Sequence, residues 1–147
     1  MTEDTRYLDL ADFLLLAEVV LGVSARELSF AADLGKTESA LCAPSASFAG
    51  VESYPDFATK AAVLAFHLIK NHALPDGNKR VGFLALVEFC ERNGFQWVSP
   101  EADDPDGDET VEVILAPSST SARAFCRRVC SPQGATAAGS RSGCPIC

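Results

Sequence analysis

One stretch of the chain collects side chains that packing does not require. Residues 72 to 80 read His72-Ala73-Leu74-Pro75-Asp76-Gly77-Asn78-Lys79-Arg80, which brings together an imidazole, a carboxylate, a glycine, an amide and two cations. His72 has the chemistry of a general base for an attacking hydroxyl. Asp76 is a hard oxygen ligand, suited to holding Mg²⁺ against bound phosphates. Gly77 allows close approach of the backbone. A helix starting at Asn78 leaves its first N–H groups without acceptors inside the helix, and such a terminus attracts anions, phosphates above all. Lys79 adds a point charge and Arg80 a fork able to grip two phosphate oxygens. Base, metal ligand and anion cradle are the parts that phosphoryl or nucleotidyl transfer needs.

Each residue also has a plainer reading. Asp76 or Asn78 serves as a helix cap, Gly77 as a turn residue, Lys79 and Arg80 as solvated charges, and His72 as a cap for the carbonyls ending the preceding helix. Singly, the plain reading is favoured at every position; together at this spacing the functional one is.

The flanking sequence says what must hold these residues. Ala61 to Lys70 is apolar apart from His67 and Lys70, and Val81 to Cys90 is apolar apart from Glu88. Two buried helices joined by a polar loop follow from that pattern. Pro55 opens the first, with Phe57, Ala61, Leu64 and Leu68 on one face and Ala58, Ala62, Ala65 and Ile69 beside them, and a helix this apolar all round must be buried. The second runs from about Asn78 to Arg92 and closes at Asn93-Gly94. Upstream, Leu10, Phe13, Leu14, Ala17, Val20 and Leu21 make a helical stripe, capped by Asp9 or Asp12 and ended by Gly22. A short helix follows Leu34-Gly35-Lys36 with Thr37 as its cap and Pro44 as its stop. Ser45 to Tyr54 shows no period and predicts a loop or hairpin-like flap around Gly50. His67 and His72 are five residues apart, on different faces of a helix, which argues against a paired metal site.

Downstream, Phe95-Gln96-Trp97-Val98 is a brief extended segment, Pro100 to Glu109 an acidic loop, and Thr110 to Ala116 the start of another helix cut short at Pro117. The acidic loop has the composition of an EF-hand without its glutamate spacing, so a solvated loop is expected. From residue 117 the composition changes, giving a folded domain over 1–116 and an atypical tail over 117–147 with no expected fixed fold. The tail holds Cys126, Cys130, Cys144 and Cys147; the last pair has zinc-ligand spacing, but the first pair and the long spacer do not support a zinc site.

With 147 residues the chain has room for one domain with a sizeable core. Its net charge of −8 opposes general binding to nucleic acid or to an anionic membrane. The N-terminus lacks the basic region of a signal peptide, and Phe13 to Val23 is too short and too interrupted to span a bilayer. The six cysteines do not form the dispersed framework of a small secreted domain. The cytoplasm is the expected location.

The 72–80 stretch resembles the motif of the Fic/Doc family, His-x-Phe-x-(Asp/Glu)-(Gly/Ala)-Asn-(Gly/Lys)-Arg. Glu38-Ser39-Ala40-Leu41, Pro55-Asp56, Lys60-Ala61-Ala62, Asn71 and Arg92-Asn93-Gly94 extend the likeness toward the Doc (death-on-curing) branch, over roughly residues 7 to 98. The resemblance implies an all-α Fic/Doc fold, with its two central buried helices joined by the motif loop. It also implies ATP and Mg²⁺ as cofactors and a protein hydroxyl as acceptor. His72 would be the catalytic base, Asp76 the metal ligand, and Gly77, Asn78, Lys79 and Arg80 the nucleotide- and phosphate-binding turn. The segment around Phe48 to Tyr54 would be the flap that positions the target.

Three departures from the general motif bear on the branch. Lys79 stands where AMP-transferring members have glycine, and Phe83 where they have a second arginine; both are Doc-like, and Doc-type proteins transfer the γ-phosphate. Leu74 in place of phenylalanine keeps an apolar anchor. The resemblance therefore implies a toxin of a toxin–antitoxin pair that phosphorylates elongation factor Tu, with AMP transfer, or a catalytically dead antitoxin-binding module, as the alternatives. The self-inhibitory Ser-x-x-x-Glu-(Gly/Asn) helix of some family members is absent, so restraint would come from a separate Phd-like antitoxin.

Overall fold

Local sequence sets where each helix begins. In the computed structural model, which describes residues 4–97 and 130–132, five α-helices appear: α1 (Leu10–Leu21), α2 (Ala25–Ala31), α3 (Leu34–Cys42), α4 (Phe57–Lys70) and α5 (Asn78–Arg92). Asp9 caps α1, its carboxylate accepting from the Asp12 N–H at 2.8 Å while the Asp12 carboxylate accepts from the Asp9 N–H at 3.0 Å. Ser24 and Glu27 make the same reciprocal box on α2, a helix too short to show in the apolar periodicity. Asp33 caps α3. Thr37, expected as that cap, lies instead inside the helix, wholly buried, with its hydroxyl donating to the Asp33 carbonyl. Asp56 caps α4, so Pro55 sits just outside the helix rather than in its first turn. Among these five, α5 alone starts without a side-chain cap, directly after Gly77.

Two small antiparallel ribbons complete the described chain. β1 (Ser47–Phe48) and β2 (Val51–Glu52) form a hairpin around Ala49-Gly50, the flap expected there. Both turn residues have positive φ, 51° and 78°, as a two-residue type I′ loop demands. β3 (Phe95–Trp97) pairs with β4 (Cys130–Pro132), so these three residues of the tail are placed against the domain. The acidic loop, the helix expected from Thr110, the boundary at residue 117, and Cys126, Cys144 and Cys147 lie outside the described residues.

The all-α expectation for the body of the domain holds: α4 and α5 lie side by side at its centre. Ala61, Leu64, Ala65, Leu68, Val81, Ala85, Leu86 and Phe89 are buried between them and the surrounding helices. The two backbones meet at Gly82, where a Cβ would stand 2.6 Å from Ile69 Cγ1. The burial of α4 is extensive, with one edge left to solvent. Phe66 and Lys70 are exposed and Val63 and His67 partly so, a stripe at helical spacing that faces outward. At the far end of the pair the rings of Tyr7, Phe89, Phe57 and Phe95 stack in that order, with centroids 4.3 to 6.1 Å apart.

Polar ties close the frame. Arg92 reaches from α5 to Asp12 on α1 with both terminal nitrogens, at 2.6 and 3.0 Å, and also bonds Glu88 on its own helix. Hydrogen bonding from Arg92 holds the Asp12 carboxyl below the usual carboxylate range against the opposing effect of burial, with the Asp9 N–H helping. Asn93 exchanges hydrogen bonds with the Arg6 backbone and so pins the N-terminal segment to the end of α5.

Two consequences are measurable. Alanine at position 82 gains about 1 kcal/mol of intrinsic helix preference. The contact with Ile69 should outweigh that, so Gly82→Ala is expected to lower stability by about 1–2 kcal/mol in denaturant unfolding. Combining it with Ile69→Ala should cost less than the sum of the two, and strict additivity would mean the close approach is unimportant. Because the folded Asp12 pKa is depressed, its pairing stabilises the fold above the unfolded value of about 3.9 and is lost as pH falls through the folded value. Arg92→Ala should therefore cost about 1–2 kcal/mol at neutral pH. The variant and parent stabilities should converge in acid.

Candidate active site

The 72–80 stretch forms the corner between α4 and α5, as expected. α4 ends at Lys70, and Asn71 caps it with its N–H on the His67 carbonyl. The chain then turns abruptly at His72, whose φ of 47° lies in the left-handed region. That conformation is uncommon outside glycine, although histidine visits it more readily than most residues, and it costs on the order of 1 kcal/mol. It persists because both sides are tied down. The Asn71 side chain donates to the Lys36 carbonyl in α3, and the Ala73 carbonyl accepts from the Asp33 N–H at 2.8 Å. Ala73 and Leu74 are buried, and Leu74 joins the core, serving as the apolar anchor expected of it. With its neighbours drawn inward, the imidazole of His72 is left exposed.

The second turn is made by Gly77, with φ of 72°. A Cβ here would stand 2.4 Å from Leu21 Cδ2, so the end of α1 packs directly on the glycine. No other residue meets both the torsion and the space. Asn78 is buried, and its side chain bonds both backbone groups of Leu74: Oδ1 accepts from the N–H at 2.9 Å and Nδ2 donates to the carbonyl at 2.8 Å. The amide thus closes the loop on itself. Its side chain is committed to the Leu74 backbone, and as the first residue of α5 its own N–H has no acceptor inside the helix. Neither this clamp nor the Asn71 tie is visible in residue types alone.

Asp76, Lys79 and Arg80 are exposed around the rim. Asp76 Oδ2 lies 3.7 Å from Arg80 Nη2, with the two side chains 87% and 61% exposed. At that exposure the pair contributes little and leaves both groups ready to exchange partners. The corner therefore offers solvent one imidazole, one carboxylate, two cations and the start of a helix that has no side-chain cap. Among the described residues no group of three or more His, Cys, Asp or Glu could cage a metal. A single exposed carboxylate suits Mg²⁺ shared with substrate phosphates and water, the usual arrangement for that ion. Phe83, one turn into α5 from Arg80, is half-buried and provides no cation.

One polar residue of this frame stands out in the sequence only through the family likeness. Lys60 on α4 is 3% exposed, and its ammonium donates to the Tyr7 hydroxyl at 2.9 Å and the Glu52 carboxylate at 3.0 Å. Burial pulls its pKa down, but the bonds with Tyr7 and Glu52 outweigh that and leave it raised. A lone lysine inside an apolar helix signals a paired charge, because an unpaired one would be too costly to bury.

Comparison with known proteins agrees with the motif. The model of the Fic/DOC family matches residues 7–90, from the segment before α1 to the last turn of α5. Toxin Doc of Mycolicibacterium smegmatis is 38% identical over 92 residues, covering 63% of this chain and 68% of that protein. No solved structure gives a significant match. Both matches take in the two central helices and the corner between them, and on that extent of agreement the chain belongs to the Fic/DOC family.

Proposed function

We propose that this chain is a Doc-type toxin that transfers the γ-phosphate of ATP to a threonine or serine hydroxyl of a protein, with elongation factor Tu as the target. The family and the relative support a toxin of the Fic/Doc type, and members of the family are generally nucleotidyl- or phosphotransferases acting on proteins. The observation that carries the reading is the corner itself. An exposed imidazole is held in a left-handed turn beside an uncapped helix start flanked by two cations.

In this reading His72 takes the proton from the acceptor hydroxyl, whose oxygen then attacks the terminal phosphorus. The N-terminus of α5 and the Arg80 guanidinium bind phosphate oxygens, with Gly77 letting the backbone come close. Lys79 adds positive charge at the rim. Asp76 would hold Mg²⁺, which supplies neutralisation of phosphate charge when bound. The hairpin β1–β2 presents the target: its strands have open edges, and Phe48 and Val51 at its tip are 84% and 70% exposed. A Phd-like antitoxin would be the restraining partner, and the cytoplasm the site of action.

Lys79 and Phe83 favour γ-phosphate transfer over AMP transfer, since glycine and a second arginine would occupy those positions in an AMP-transferring member. Incubation with elongation factor Tu and ATP labelled on the γ-phosphate should label the factor, and ATP labelled on the α-phosphate should not. The reverse result would establish AMP transfer, and no label from either would refute both. His72→Ala should lower the rate at least about 100-fold with little loss of stability, because the imidazole is exposed and the backbone is anchored by its neighbours. An unimpaired rate would remove His72 from the chemistry. Asn78→Ala should behave differently, lowering stability by about 1–3 kcal/mol by leaving the buried Leu74 backbone groups unpaired, together with activity.

A further inference from the structure

A two-stranded ribbon is at best marginally stable by itself in water. The β1–β2 hairpin buries none of its four strand residues. It nevertheless has a defined place, and two contacts supply it. At its base the Ser53 N–H donates to the Ala46 carbonyl at 2.9 Å, which extends the ladder but does not attach it to the body. The attachment is Glu52: its carboxylate lies 3.0 Å from the Lys60 ammonium, and that ammonium is almost fully buried on α4. The lysine is fixed in turn by the Tyr7 hydroxyl on its other side. The pair is thus a half-exposed carboxylate bound to a cation whose position the core dictates, with side chains 57% and 4% exposed.

An ammonium so placed is a poor choice for stability alone, since an apolar side chain of similar volume often serves a buried site as well or better. What a methionine or leucine could not supply is a directional tie to a neighbour that buries none of its own strand residues. We infer that Lys60 is a positioning residue: through Glu52 it fixes the orientation of the β1–β2 hairpin against α4, and so sets the stage on which the protein substrate is held. The consequence for substrate rests on the transfer reaction proposed above; the tie to the hairpin does not. Releasing it should loosen the hairpin without touching the α4–α5 corner, because Glu52 takes no part in the contacts that anchor residues 71 to 78.

Glu52→Ala is the informative variant, because Glu52 is exposed and its loss leaves Lys60 bonded to Tyr7. Amide hydrogen exchange over residues 46–53 should become about threefold to tenfold faster, with exchange in α4 and α5 unchanged. Glu52→Gln keeps an acceptor oxygen and should recover part of the protection. Tyr7→Phe removes the lysine's other partner and should leave hairpin exchange as it was. With elongation factor Tu as substrate at saturating ATP, Glu52→Ala should raise KM several-fold while kcat stays within about twofold, the split expected of lost substrate positioning. Unchanged hairpin exchange in Glu52→Ala would overturn the inference, as would a fall in kcat at constant KM. If the parent chain fails to phosphorylate the factor, the transfer reading fails, while the exchange measurement still decides whether Lys60 holds the hairpin.

Discussion

The paired hydrogen bonds between the Asn78 side chain and the Leu74 backbone are the constraint from which the corner takes its shape. Leu74 must be buried to anchor the loop, and burial would strand its N–H and C=O, which no helix or sheet partner reaches. One primary amide, with a donor and an acceptor side by side, satisfies both at once. That solution has a geometric consequence. Because Asn78 is also the first residue of α5, clamping it to Leu74 fixes where the helix begins relative to the loop. The uncapped first turn is then aimed by a buried contact rather than by anything at the surface.

The same corner shows why strain and exposure go together. Between α4 and the clamp the chain has few residues in which to reverse, and the reversal falls on His72 and Gly77, both left-handed. At Gly77 the torsion is accompanied by Leu21 packing where a side chain would be, so only glycine fits. At His72 it is accompanied by open solvent. The ties of Asn71 to Lys36 and of Ala73 to Asp33 hold the imidazole outward at a cost of about 1 kcal/mol, which the frame must offset. A residue kept in an unfavourable torsion with its functional group free of the core is better explained by what it does than by what it packs against.

Much of this was legible in the residues. Runs of apolar residues broken by a polar loop gave α4 and α5 and their junction, and the Ala49-Gly50 turn was signalled by glycine in an aperiodic stretch. The short helix α2 was legible too, in the Ser24-x-x-Glu27 box, although its seven residues are too few for periodicity to announce. What could not be read were side chains acting at a distance along the chain. Asp33 was available as the cap of α3, but nothing local distinguishes it from Thr37 as the cap. Nor does the type of Asn78 reveal that its amide turns inward to the Leu74 backbone. Such assignments depend on which groups tertiary packing would otherwise leave unpaired, and that is a property of the folded chain.

Three polar residues are buried among those described, Thr37, Lys60 and Asn78, and no buried side-chain nitrogen or oxygen there lacks a partner. None sits in the middle of the apolar contact between α4 and α5, where a hydrogen bond would gain least over packing. Thr37 bonds the Asp33 carbonyl at the start of α3, the segment whose N–H holds Ala73. Asn78 closes the loop that follows. Lys60 reaches the hairpin. Apolar burial is non-directional and fixes the helices only as well as their shapes interlock, whereas hydrogen bonds inside a low-dielectric frame fix orientation sharply. Placing the directional interactions at the joints, and leaving the helix faces to apolar packing, lets one small core hold the α4–α5 corner and the β1–β2 hairpin in separately specified positions.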